Sequence, residues 1–407
     1  MSLVKSEYII TLYTSINLVG YFLLVSIMGL FFGEGTDSQI FTFTYRICML
    51  IFSLILLFLF TKRYINIPSS VRIYLLFFSL FLIRASYDLL INTDFQITSS
   101  EINRFFYFTF LIIIIPSITL LYTRKYINLN KVFFQVLFII SLSILISYFN
   151  IEEIKYDKRL ELTNGLGVIT TGHLASLQII LSYFSFKNKL IKNRFLNFIL
   201  IFTSFLSLQI LFLSGSRGPF LNLILILLFI NLKLKNLKYF AIVSVMLIFF
   251  SFPIINFFIE NIPIFSNRVL LSQGVGGRYF LYLETIDIIS NNLFFGHQFA
   301  LPRSNGEFVY THNIILDSMI SLGIIGLILI LLTIKNIIKY SYNIIKSESK
   351  HSWVAILLLL EFFKLLVSSS FYINERFTFL IIILFTLNSS NYKLNENTYF
   401  RTKTSRL

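Results

Sequence analysis

Apolar runs long enough to cross a lipid bilayer recur along almost the whole chain. A hydrocarbon core about 30 Å thick takes roughly 20 apolar residues of helix. About twelve stretches approach that length: 8–32, 40–60, 71–91, 105–122, 131–149, 165–185, 195–213, 218–232, 239–259, 314–334, 353–371 and 377–388. The eighth and twelfth are the short ones. The runs are continuously apolar and do not alternate with period two, which favours helices over a barrel. The first is too long for a secretory signal, and no small-residue cleavage site follows it. Composition closes the other routes. Of 407 residues, 56% are hydrophobic, 13% are charged and 48 are phenylalanine, more apolar surface than one soluble core can hide. Cys48 is the only cysteine, which excludes a disulfide scaffold.

The formal net charge of +15 then sets an orientation. Lys and Arg gather between alternate stretches: Lys62 with Arg63, Arg124 with Lys125, Lys187 to Arg194, Lys233 to Lys238, Lys335 to Lys350, and the C-terminal segment. By the positive-inside rule these segments and both termini are cytoplasmic. The opposite face is acidic on balance. The expected fold is an all-α polytopic membrane protein of about twelve transmembrane helices, a single transmembrane domain over 1–407. One large extracytoplasmic loop, about 260–312, carries short interfacial helices. The basic surplus suits anionic lipid headgroups. It is spread over many cytoplasmic segments, so it does not have the shape of a nucleic-acid site.

On the acidic face the few cations stand out. Arg217 lies in Ser214-Gly215-Ser216-Arg217-Gly218-Pro219, where two glycines allow a sharp turn and Pro219 suits the first turn of the next helix. A guanidinium beside free backbone N–H groups makes an anion site. The same residues also make a plain turn whose arginine extends to the interface. Arg278 follows Gly274-Val275-Gly276-Gly277 and opens a short helix with Tyr279, Tyr282, Leu283, Ile286 and Ser290 along one side. This is an interfacial helix with either a phosphate cradle or a solvated arginine at its start. Glu284 and Asp287 on it are acid/base candidates or a hydrated face. His312, in Thr311-His312-Asn313, immediately precedes the tenth stretch. A histidine at the wet edge of a membrane cavity suits proton transfer near neutral pH; as an isolated residue it is equally a helix-end ring in the headgroup layer.

His173, His297 and His351 match no metal-ligand spacing, so no zinc is expected. Arg46, Arg84, Asp88, Asp317, Glu361 and Lys364 fall inside apolar stretches, where ionisable groups are costly. Arg84 with Asp88 and Glu361 with Lys364 sit at helix-neighbour spacings that let them neutralise each other. Arg46 lacks a partner on its own stretch and is a candidate to line a cavity.

Ser-Gly-Ser-Arg-Gly at a helix junction, the Gly-Gly-Arg loop, and Thr-His-Asn-x-x-Leu before a Gly-x-x-Gly span occur here in one order on one face. Together they resemble the superfamily of O-antigen polymerases and O-antigen ligases, mainly over 195–334. The resemblance implies a bacterial inner (cytoplasmic) membrane protein in lipopolysaccharide or related polysaccharide biosynthesis. It implies a cofactor-free, metal-independent, inverting glycosyl transfer from an undecaprenyl-diphosphate-linked oligosaccharide. Arg217 and Arg278 match the family's diphosphate-binding arginines and His312 its general base. Tyr279, Tyr282 and Tyr310 are candidates to stack on sugar faces. The chain departs from the family at Phe295-Gly296-His297-Gln298, where many members have Gly-x-Gly; His297 is a candidate extra substrate contact. Polymerase is favoured over ligase by the heavy use of Phe, Ile, Asn, Lys and Tyr, as in AT-rich polysaccharide clusters. Membrane lipids and a chain-length regulator protein are the expected partners. A capsule or exopolysaccharide polymerase, a lipid-linked-sugar flippase and a non-catalytic assembly subunit remain alternatives.

Overall fold

The computed structural model describes residues 3–32, 38–61, 67–92, 97–149, 168–231 and 276–387. The apolar stretch 239–259, the loop segment 260–275 and the basic C-terminal segment lie outside these residues. Among the described residues the chain is almost wholly helical, with seven helices long and apolar enough to cross a membrane. Residue contacts divide it into two compact units. The first joins Met1–Met49 to Asn128–Tyr282, and the second joins Leu50–Ile127 to Leu283–Leu407.

In the first unit, α1 (Leu3–Phe32) pairs with a helix from the middle of the chain. The first unit also takes the start of α2 (Ser38–Phe60), whose remainder belongs to the second. Small polar side chains join the helices, as expected where hydrocarbon solvent gives apolar faces no reason to associate. Along α6 (Leu129–Phe149), Gln135 Oε1 accepts the Ser15 hydroxyl at 2.7 Å, and the Ser147 hydroxyl meets that of Ser26 at 2.7 Å. In α7 (Val168–Lys187), the Gln178 amide nitrogen donates to the hydroxyls of Ser141 at 2.9 Å and Thr203 at 2.8 Å. Thr203 lies on α8 (Arg194–Ser214), which starts where Asn193 accepts the N–H groups of Phe195 and Leu196. Gly215, with φ 56, ends that helix in the left-handed conformation that glycine tolerates. A tight turn then leads directly into α9 (Arg217–Asn231).

In the second unit, α3 (Ser69–Leu90) begins after Pro68. The next span runs through α4 (Ser99–Phe106), a widened π-helical segment Tyr107–Ile114, and α5 (Ile115–Thr123). Pro116 accounts for the widening: it has no N–H to give the preceding turn, and its ring crowds the carbonyl there. Later in the chain come α10 (Gly276–Asn291), whose start through Tyr282 belongs to the first unit, a two-strand hairpin of β1 (Leu301–Pro302) and β2 (Phe308–Val309), and the long α11 (Ile314–Lys346). The expected short helix after Gly276-Gly277 is therefore present as α10.

The last two apolar stretches form α12 (Ser352–Val367, 16 residues) and α13 (Glu375–Leu387, 13 residues). Both are shorter than a bilayer crossing needs. They are buried on nearly every side, from Trp353 to Phe362 and from Phe377 to Phe385, the signature of interior helices. Beside them Phe77, Phe81, Phe105, Phe299, Phe371 and Tyr372 form an aromatic cluster with centroids 4.6–6.2 Å apart. That cluster is the floor on which the His312 segment rests.

Candidate functional site

Thr311-His312-Asn313 is shaped by what starts α11. The Asn313 side chain caps the helix, accepting N–H groups of Ile315 at 2.9 Å and Leu316 at 3.3 Å. Its amide nitrogen donates to the Leu366 carbonyl near the end of α12, at 3.2 Å. Asp317, one turn into the helix, points back toward the loop. Its Oδ1 accepts the Thr311 N–H at 2.9 Å and the Thr311 hydroxyl at 2.8 Å, and its Oδ2 accepts the Ser370 hydroxyl at 2.6 Å. Only 1% of Asp317 is exposed. A carboxylate buried so completely needs such donors to offset lost hydration.

Between these fixed points His312 adopts φ 60. The left-handed region costs a residue with a Cβ roughly 1–3 kcal/mol and persists only where the surroundings impose it. The half-buried ring packs against Tyr310 with centroids 4.4 Å apart and planes inclined at 63°. Tyr310 in turn meets Tyr372 edge-on at 6.2 Å. Burial pushes the Tyr372 phenol well above its ordinary value, and Asp317 and Tyr310 act the same way, against the opposing pull of Ser370 and Arg104. It is a neutral, packed ring.

Three turns further on, α11 breaks at Gly323, whose φ of 60 and ψ of −142 are not helical. The segment 292–298 fills the break. Its Leu293 carbonyl accepts the Ile324 N–H at 2.9 Å, while the Ile320 carbonyl accepts N–H groups of His297 at 2.8 Å and Gln298 at 3.2 Å. Glycine is required on both sides. A Cβ on Gly323 would lie 2.5 Å from the Leu293 oxygen, and one on Gly296 (φ 70) 2.5 Å from the Ser321 carbonyl carbon. The chain's departure from the familiar loop pattern, Phe295-Gly296-His297-Gln298, is thus the segment that docks into the Gly-x-x-Gly break. The His297 side chain is exposed, as are Phe294 at 66% and Phe295 at 76%. His297 is anchored about two turns along α11 from His312, so the two histidines are separate features of this unit.

The Arg217 turn is held in the first unit by α7. The Ser176 hydroxyl donates to the Pro219 carbonyl at 3.0 Å, and Gly172 leaves room for the proline ring, which a Cβ would approach to 2.9 Å. Ser216 N–H donates to the Ser214 hydroxyl at 3.4 Å. The side chains of Arg217, Arg278 and Tyr279 lie outside the described residues; Tyr282 is half-buried on α10. Arg217 and Arg278 fall in the first unit and His312 in the second. Leu283 and Ile286 form an exposed apolar edge on α10. Glu284 is bound by Arg303, whose Nη1 lies 3.0 Å from both carboxylate oxygens, so it serves as an ion-pair partner.

The charges inside apolar stretches also find partners. Arg84 pairs with Asp88 at 3.0 Å, and Asp88 additionally accepts the Phe299 N–H at 2.7 Å. Glu361 reaches Lys364 at 3.7 Å, but Arg376 at 3.2 Å and Asn374 at 2.9 Å are closer. The Arg46 guanidinium lies 5.8 Å from the Tyr21 ring centroid, a cation–π contact between neighbouring helices. Sequence spacing did not reveal the link from Asp317 to Ser370, 53 residues away; the only local signal was an acid one turn after a capping asparagine. Among the described residues no group of three His, Cys, Asp or Glu side chains is placed to hold a metal ion.

Compared with known families, residues 202–331 match the family model of the O-antigen ligases, a range that takes in Arg217, Arg278, His297, His312 and Gly323. No curated protein and no solved structure matches the chain.

Proposed function

We propose, from the premise that an O-antigen ligase-like domain over residues 202–331 places this chain in the superfamily of O-antigen polymerases and ligases, that it is a membrane polymerase of O-antigen or a related surface polysaccharide. In this proposal the donor is a glycan on undecaprenyl diphosphate and the acceptor is a hydroxyl of a second lipid-linked repeat. The observation that carries it is His312, held in a left-handed conformation at the half-buried start of α11. Strain maintained by surrounding packing is typical of residues placed for chemistry.

His312 accepts the proton of the attacking hydroxyl. Arg217 and Arg278, on the strength of the resemblance, bind the diphosphate as negative charge develops on the leaving group, the interaction that lowers the barrier. The transfer is inverting, with direct displacement and no covalent glycosyl-enzyme. Tyr310 supplies a ring beside the base, and Tyr279, Tyr282 and His297 contact sugars. The positive-inside pattern puts both termini in the cytoplasm and this chemistry on the extracytoplasmic face of the inner membrane. There the exposed Leu283, Ile286, Phe294 and Phe295 suit contact with membrane lipids. A chain-length regulator is the protein partner.

The second reading is an O-antigen ligase that transfers the glycan to lipid A–core, which the family match fits equally. The two share a donor and differ in acceptor. Deleting the gene and resolving lipopolysaccharide on a gel separates them: a polymerase deletion leaves single repeats on core, and a ligase deletion leaves core without O-antigen. His312→Ala and Arg217→Ala are expected to give inserted, folded proteins with little residual activity. Full activity in either overturns the mechanism, and lipid-linked-sugar transport that survives His312→Ala would point to a flippase.

A further inference from the structure

Asp317, a buried acid five residues beyond His312, turns back toward the loop that carries the histidine. An aspartate in the first turn of a helix ordinarily stays in water, where it favours the positive end of the helix dipole. Asp317 is instead 1% exposed, and all three of its donors come from outside its own helix: the Thr311 N–H, the Thr311 hydroxyl and the Ser370 hydroxyl, at 2.6–2.9 Å. We infer that Asp317 is the positioning residue of this site, holding His312 in its productive orientation through Thr311 and Ser370. The inference rests on the reading of His312 as the base.

Two restraints on His312 converge on this carboxylate. One is covalent and short: Thr311 is the residue before His312, and fixing both its N–H and its hydroxyl fixes where the His312 main chain begins. Asn313 fixes the other end, through its capping bonds to Ile315 and Leu316 and its bond to Leu366. The intervening histidine is left in the left-handed region.

The second restraint runs through rings. Ser370 is two residues before Tyr372, so Asp317 also anchors the short helical turn Phe371–Ile373. Tyr372 stacks on Phe81 at 5.2 Å and meets Tyr310 edge-on, and Tyr310 backs the His312 ring at 4.4 Å. The same carboxylate therefore steadies the backbone before the histidine and the aromatic surface behind it. Supporting groups of this kind, themselves buried and hydrogen-bonded, set the orientation of a reacting side chain. Small misplacements there lower turnover with little effect on substrate binding.

The experiment measures single-round extension of a lipid-linked repeat by the purified full-length protein in proteoliposomes. Asp317→Ala is expected to lower kcat by roughly 10- to 100-fold with KM changed less than about 3-fold. Asp317→Asn keeps an acceptor for Thr311 and should recover most of that loss. The decisive measurement is the double variant: if Asp317 acts through His312, His312→Ala with Asp317→Ala is no slower than His312→Ala alone. A further loss that multiplies the two effects overturns the inference, because a residue needed only for general integrity would act whichever base is present. A strongly impaired His312→Ala beside a fully active Asp317→Ala overturns the inference while leaving the catalytic reading standing. A fully active His312→Ala removes both. If Asp317→Ala does not insert, Thr311→Val and Ser370→Ala, which leave the carboxylate in place, are put through the same comparison with and without His312→Ala.

Discussion

The Ile320 carbonyl accepts the N–H of His297 at 2.8 Å, the role that the N–H of Ile324 would play in an unbroken helix. Ile324 donates instead to Leu293 at 2.9 Å. The hydrogen bond missing at Gly323 is thus replaced on both sides by one loop, so neither the Ile320 carbonyl nor the Ile324 N–H is left without a partner.

Replacing Gly323 or Gly296 with alanine is expected to destabilise the protein. Both have positive φ, and a Cβ on either would meet backbone atoms at 2.5 Å. The conformation alone costs about 1–3 kcal/mol, and the clash adds to it. Thermal unfolding in detergent checks this; unchanged melting of both variants would mean the joint is not built as described.

At Asp88 the two partners predict a graded response. Asp88→Ala strands the buried Phe299 N–H and leaves Arg84 without its carboxylate, at a cost of about 2–4 kcal/mol. Asp88→Asn retains an acceptor for Phe299 and should lose less. Equal losses by chemical denaturation would show that the pairing with Arg84, not the bond to the loop, is what matters.

The Ser214–Pro219 turn offers a contrast between a hydrogen bond and a space requirement. Ser176→Ala removes the bond to the Pro219 carbonyl and should cost about 1 kcal/mol. Gly172→Val drives a branched side chain into the proline ring that a Cβ would already approach to 2.9 Å. It should impair activity far more, through the turn that carries Arg217. Assay of both variants at equal membrane abundance decides the order.

Tyr372 makes a signed pH prediction. Its folded pKa lies well above the ordinary 10.0, so the folded state holds this proton more tightly than the unfolded chain. The associated stability is fully present below about pH 10 and is lost as pH rises above it. Tyr372→Phe should flatten that alkaline decline relative to the parent protein, as read from melting temperature between pH 8 and 11. Parallel curves would mean the phenol does not titrate on unfolding.

The sequence signals differ in how far they reach. Spans such as 131–149 are legible because a bilayer demands about twenty apolar residues in a row, and the Ser214–Pro219 turn because glycine and proline announce it locally. Asn313 is readable as a cap for the same reason. The pairs Arg84–Asp88 and Glu361–Lys364 follow from helix spacing, whereas Phe299 and Arg376, their additional partners, lie on other elements. Asp317 with Ser370, and Gly323 with Gly296, are likewise tertiary pairings with no local period. In α12 and α13 the difficulty is different: an interior helix and a membrane span are equally apolar, and only length separates 13 or 16 residues from a crossing.

Beyond Gly323, Ile324–Lys346 rises about 34 Å at 1.5 Å per residue, but from Lys335 on it is the basic segment that the positive-inside rule assigns to the cytoplasm. The nine residues from Ile314 to Leu322 are therefore part of the crossing, and His312 stands at the outer end of the membrane helix itself. Because the 292–298 loop grips both pieces, the elbow between them keeps its angle. A tilt of the inner piece set by bilayer thickness is therefore passed through the joint to the outer piece that carries His312.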